Sequence, residues 1–304
     1  MRAIFLGNCT TRLFNDFFDG WVSVVWAEKE TAAFMIGYLL LLFGIAWLAL
    51  LIPVEYGMQI MLLDGLAVSL SLFAAVLLVR VQWRFEPGEP VRAIWRWLAG
   101  GFFLQGVGMA VVFWLEHAGR GAVPVPSLAD FFLAISDLLL FWGLWRFITY
   151  IVQQPFVPAY SGEAIAVVAG FTVMLLTAVL VIVPQLGMYG DPLIERALIT
   201  LYASMDVLGF LLALRLLLMW VYVGYTPIMK PWVIFAVAFL VFTLTDTLLD
   251  WYKVWGMDPS GAFIDHLWAL GFWVVGYACL QQLRLLDNPS LADPNAEVYA
   301  SRLL

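Results

Sequence analysis

Charge is what this sequence has least of. Only 12 % of its 304 residues are Asp, Glu, Lys or Arg, whereas a soluble domain carries about a quarter. Cysteine and histidine are nearly absent, with two of each: Cys9 and Cys279, His117 and His266. Cysteines so far apart define neither a disulfide framework nor a metal knuckle. Without a Cys/His cluster a structural zinc site has no ligand set, and the sequence predicts no metal. Lys and Arg form no binding-sized cluster and the net charge is −7, which argues against nucleic acid as a partner. No G-x-S-x-G, no Ser/His/acid grouping and no P-loop is present, so nothing supports an enzyme. The first 30 residues carry Asp16, Asp19, Glu28, Lys29 and Glu30 and no short apolar core before a cleavage signal, unlike a secretory signal peptide.

What fills the chain instead is apolar surface. Hydrophobic residues make up 64 % of it, and the mean hydropathy is +0.94, well beyond a globular domain. Fifteen tryptophans suit the aromatic belts of a membrane protein. After an amphipathic lead over 1–31, read as a surface-lying helix, eight apolar runs follow. They fall near 32–52, 58–79, 97–115, 128–150, 164–183, 194–222, 231–251 and 263–283, each close to the roughly 20 residues a span requires. The expected fold is therefore all-α and polytopic, with eight transmembrane helices.

The runs divide into two fours, 32–155 and 156–284, followed by a short tail, 285–304. Asp64 in the second run is echoed by Asp206 in the sixth. The Pro126-Ser127 start of the fourth is echoed by Pro259-Ser260 before the eighth. Repeats of an even number of spans run parallel, related by an axis along the membrane normal. Of the fifteen Lys and Arg residues, only Arg120, Arg196 and Lys253 fall on one side of this threading. The positive-inside rule then places both termini in the cytoplasm of a bacterial inner membrane.

The stretch with most to say is Pro124 to Phe147, PVPSLADFFLAISDLLLFWGLWRF. Asp130 stands in its first turn, and Asp137, two helical turns on, shares that face. Further acids lie in or beside apolar runs: Asp64, Asp206, the pair Asp246 and Asp250 on one helix face, and Asp265 next to His266. Ionisable groups inside a membrane are costly and mark interior polar sites. One reading collects Asp64, Asp130, Asp137, Asp206, Asp246, Asp250, Asp265 and His266 around an outer-leaflet pocket for a small ligand, a cation or protons. The alternative is that each acid pairs locally and staples helices together, at about 0.6 kcal/mol per contact. His117, beside Glu116, and His266 are weak candidates for binding a haem or pigment, since axial ligation calls on imidazoles at depth. No cofactor is required by the sequence. The glycines at 100, 101, 106 and 108 suit close helix packing.

The segment Pro126-Ser-Leu-Ala-Asp-Phe-Phe-Leu with its helix ending Gly143-Leu-Trp-Arg146 resembles a polytopic sensor region. That region precedes diguanylate cyclase, phosphodiesterase or kinase domains in bacterial signalling proteins. Leu201-Tyr-Ala-Ser-Met-Asp206, Phe242-Thr-Leu-Thr-Asp246 and Asp265-His-Leu-Trp268 are similar to later segments of that family, in order, over about 100–283. The resemblance implies a membrane or periplasmic signal received near Asp130, Asp206, Asp246 and Asp265. Ile135-Ser136 and Ala203-Ser204 replace Tyr-Pro pairs common in the family, and no output domain follows the eighth run. The expectation is a non-catalytic, sensor-like module that binds a small ligand or lipid and acts through a partner chain. The alternative is an accessory subunit scaffolding a respiratory or photosynthetic membrane complex, with a transporter or membrane hydrolase third. On either of the first two readings its partners are membrane lipids and another integral membrane protein.

Overall fold

The computed structural model describes residues 56–117, 126–154, 163–179, 193–223, 228–255 and 263–287, with Gly37 and Val183. The amphipathic lead, almost all of the first apolar run, and the tail beyond Asp287 lie outside these residues. Every regular element described is helical: α1 (Tyr56–Trp83), α2 (Pro90–Leu115), α3 (Leu128–Val152), α4 (Glu163–Thr177), α5 (Leu193–Val223), α6 (Lys230–Val254) and α7 (Phe263–Asp287).

The boundaries follow local chemistry. Pro87-Gly88 turns the chain after α1, with Gly88 at φ +105°, a conformation that favours glycine. Pro90 then opens α2 at the position where a missing N–H costs nothing. Before α3, Ser127 is extended, and its N–H donates to the Asp130 carboxylate at 2.6 Å. The Ser127 hydroxyl donates to the same oxygen at 3.0 Å. Asp130 thus closes the helix start that the Pro-Ser signal predicts.

Among the described residues, six helices are long and apolar enough to cross a membrane: all but α4, whose described α-helix has 15 residues. Their outer faces carry Phe73, Val76, Phe103, Phe131, Leu138 and Trp142, each more than two-fifths exposed. Water would not tolerate such continuous apolar surface on a monomer, and lipid requires it. The protein is a polytopic, all-helical membrane protein.

The six long helices pack in a closed ring, α1–α2–α3–α5–α6–α7 and back to α1, with α4 against the outside of α5. Side chains from α2, α3, α6 and α7 fill the middle. Phe102 of α2 is the hub, its ring centroid 5.9 Å from Phe235, 6.1 Å from Phe242, 6.1 Å from Phe272 and 6.3 Å from Phe239. Edge-to-face pairs of this kind contribute about 0.5–1.5 kcal/mol beyond burial. Lower down, Trp232 lies flat on Phe147, the centroids 3.3 Å apart and the planes at 12°.

Close approach needs small residues. A Cβ on Gly101 would meet Leu140 at 2.6 Å, so only glycine lets α2 and α3 cross at this distance. Across that crossing the buried Ser136 hydroxyl donates to the Gly101 carbonyl at 2.9 Å. Ser71 donates likewise to the Phe102 carbonyl at 3.0 Å, joining α1 to α2.

Most of the described basic residues gather at one end of the ring, with Arg196 of α5 at the other. Arg80 and Arg84 at the end of α1, Arg92 and Arg96 at the start of α2, Arg146 near the end of α3, Lys230 opening α6 and Arg284 closing α7 share one end. There Arg84 meets Asp287 at 2.6 Å, with Glu86 and Glu89 in the α1–α2 turn nearby. Asp64, Glu116, Asp130, Asp246 and Asp250 lie toward the other end, as contacts between α1 and α2, α3 and α5, and α6 and α7 establish.

Candidate functional site

Three of the carboxylates picked out by the sequence converge. Asp137 of α3, Asp206 of α5 and Asp246 of α6 line one cavity, with walls completed by α2 and α7. They come from three helices because each sits on the ring-facing stripe of its own helix. Asp137 is one turn from Leu133 and close to Leu140 and Leu144, all inward residues. Asp206 is within electrostatic reach of Asp246, Asp137 and Asp250, and Asp137 within reach of Asp246. No Lys or Arg is among the fifteen residues that line the cavity.

The remaining wall is aromatic and sparsely polar. Phe102, Phe141, Phe239, Phe242, Phe272 and Trp268 surround the acids, while Gln105 and Thr243 supply further polar atoms. The Trp268 indole N–H donates to Asp246 Oδ1 at 2.8 Å. Thr243 donates to the Asp206 backbone carbonyl at 3.3 Å, tying α6 to α5. Gln105 is positioned by Ser136, whose hydroxyl lies 2.8 Å from the Gln105 side-chain oxygen. The cavity holds about 70 Å³. At roughly 30 Å³ per water that is room for two or three waters or one small ion. It is far below the ~300–1,000 Å³ of sites for drug-sized ligands.

Depth follows from helix geometry. Asp137 is nine residues from the start of α3, about 14 Å along the axis at 1.5 Å per residue. Asp206 stands thirteen residues into α5. The site therefore lies inside the bundle, nearer the acidic end than the other.

Other expected residues stand apart from this cavity. Asp130 is held at the mouth of α3, where Tyr202 of α5 donates its hydroxyl to Oδ1 at 3.1 Å. That is local stapling, as the alternative reading of the acids expects. Asp64 of α1 is 3.3 Å from Nε2 of His117, which follows the end of α2. Asp250, one turn beyond Asp246, is within electrostatic reach of Asp206 without lining the cavity. His266 is half-buried in the first turn of α7. The side chain of Asp265 lies outside the described residues.

Sequence reasoning missed Gln105, Trp268 and Tyr202. Each carried a faint signal. Gln105 is the lone amide in the glycine-rich run of α2, and Trp268 falls three residues after Asp265. Tyr202 stands four residues before Asp206, on the same helix face.

Comparison of the chain with protein-family models, with curated proteins and with solved structures finds no match.

Proposed function

We propose that this membrane protein is a non-catalytic, sensor-like module whose acidic cavity binds a small ammonium-type cation. One observation carries the reading. Three carboxylates from three different helices line a single small cavity to which no Lys or Arg contributes. Ionised carboxylates gathered in one small cavity repel one another, and a cation among them offsets that repulsion. The aromatic wall narrows the choice of cation. Acids relieve its charge, while the faces of Phe and Trp attract an ammonium with apolar substituents. The volume suits a small cation such as methylammonium.

Signalling is the use such a site suggests. Asp137, Asp206 and Asp246 belong to α3, α5 and α6, so a bound cation pulls three helices together. The likeness of the segments around Asp130, Asp206 and Asp246 to bacterial sensor regions supports this use. In this reading the arginine-rich end faces the cytoplasm and the cavity opens toward the periplasm. The signal then passes to a second membrane chain. The ring also suits an origin by duplication: α1, α2 and α3 follow one another round it as α5, α6 and α7 do. Trp95 and Phe102 on α2 have counterparts in Trp232 and Phe239 on α6, at the same seven-residue spacing.

Equilibrium dialysis of radiolabelled methylammonium against the full chain in lipid nanodiscs tests the proposal. Saturable binding of one cation per chain, weakened tenfold or more by Asp206→Asn and by Asp137→Asn, supports it. No saturable binding, or binding indifferent to both substitutions, overturns it.

A further inference from the structure

A second cluster lies outside the cavity, where α1 meets the end of α2. We propose that Asp64, Glu116 and His117 form a binding site for a first-row divalent transition cation of the Zn²⁺ class. One donor atom from each lies within 4.8 Å of the other two. Tetrahedral donors on bonds of 2.0–2.2 Å stand about 3.3–3.6 Å apart, so the set needs to close by up to about 1.5 Å on binding the ion. The side chains have room to do so, Asp64 and His117 each being 23 % exposed.

Local structure points the same way. Glu116 and His117 follow the end of α2 and are assigned to a π-type turn, a feature that recurs at functional sites. Here two successive residues approach a single partner, Asp64 of α1. The His117 ring is held from behind by Phe113, the centroids 4.8 Å apart and edge-on. Its Nε2 already points to the Asp64 carboxylate at 3.3 Å. An oriented imidazole and two carboxylates from two helices make a three-ligand set of the kind that leaves a position for water.

The donor set also selects the ion. Imidazole favours Zn²⁺, Fe²⁺ or Ni²⁺ over Mg²⁺ and Ca²⁺, which take oxygen ligands alone. Bound there, the ion would clamp α1 to α2 near the acidic end, whereas the cavity acids act on α3, α5 and α6. Neither proposal depends on the other.

The competing account is a simple ion pair, in which His117 and Asp64 clip two helices and Glu116 takes no part. Glu116→Gln separates the two, because it leaves that pair intact and changes an exposed residue. The chain in nanodiscs is stripped with chelator and titrated with Zn²⁺, then with Co²⁺, whose visible absorption reports its ligands. The expected result is one Zn²⁺ per chain, unaffected by millimolar Mg²⁺ or Ca²⁺. Glu116→Gln and His117→Ala are each expected to weaken it at least tenfold, with Asp206→Asn without effect. Zn²⁺ affinity unchanged in Glu116→Gln, no stoichiometric binding, or equal competition by Ca²⁺ overturns the proposal.

Discussion

The indole of Trp268 and the carboxylate of Asp246 are joined across the α6–α7 interface, N–H to Oδ1, at 2.8 Å. The bond fixes one cavity acid in place. Trp268→Phe keeps the aromatic wall and removes the donor. It should cost about 0.6–1.7 kcal/mol, the range measured for polar contacts between membrane helices. Thermal unfolding of the detergent-solubilised chain measures the loss, and an unchanged midpoint would mean that the bond contributes nothing.

Two adjacent glycines make a sharper comparison. A Cβ at Gly101 meets Leu140 at 2.6 Å, whereas one at Gly100 meets Leu139 at 3.4 Å, an ordinary contact. Gly101→Ala should therefore destabilise by about 1–3 kcal/mol through overpacking. Gly100→Ala should be neutral or slightly stabilising, since alanine gains up to about 1 kcal/mol over glycine in a helix. Unfolding midpoints of the two variants, measured side by side, decide it. Equal effects would contradict the tight α2–α3 crossing.

Lipid contact is tested on the outer face. Phe103 lies at the middle of α2 and is 53 % exposed. In a bilayer, Phe103→Arg places a charge against acyl chains, at a cost of about 2.5–3.5 kcal/mol on insertion scales. An insertion assay on α2 should record a clear drop in the membrane-integrated fraction. A soluble bundle would accept the same arginine without penalty.

Much of this architecture was legible because long apolar runs report their own length. All six long helices coincide with expected runs, and the turn residues Pro87, Gly88 and Pro126 lie where the chain reverses. Of the fifth run, 164–183, the described α-helix is Glu163–Thr177, and residues 180–182 lie outside the described residues. The first run and the surface-lying lead fall outside the described residues.

The site was legible only in part, for a physical reason. Hydropathy marks Asp137, Asp206 and Asp246 as expensive residues that must face inward, but says nothing about which helices adjoin. That depends on shape, as at Gly101 against Leu140. Asp130 and Asp137 share a face, yet Tyr202 and Ser127 retain the first at the helix mouth while the second reaches the cavity. The grouping of Asp64 with Glu116 and His117 was equally hidden, since its members come from helices that meet only after packing.

The central claim is that Asp137, Asp206 and Asp246 face one water-accessible cavity opening at the acidic end. It is tested most directly by single cysteines at these positions, in a chain with Cys9→Ser and Cys279→Ala. The probe is 2-aminoethyl methanethiosulfonate, itself a small ammonium. Applied to oriented vesicles, it should modify all three cysteines from the acidic side, slowly or not at all from the arginine-rich side, and methylammonium should protect them. Cysteines that stay unmodified from both sides, or that react without protection, would contradict the account.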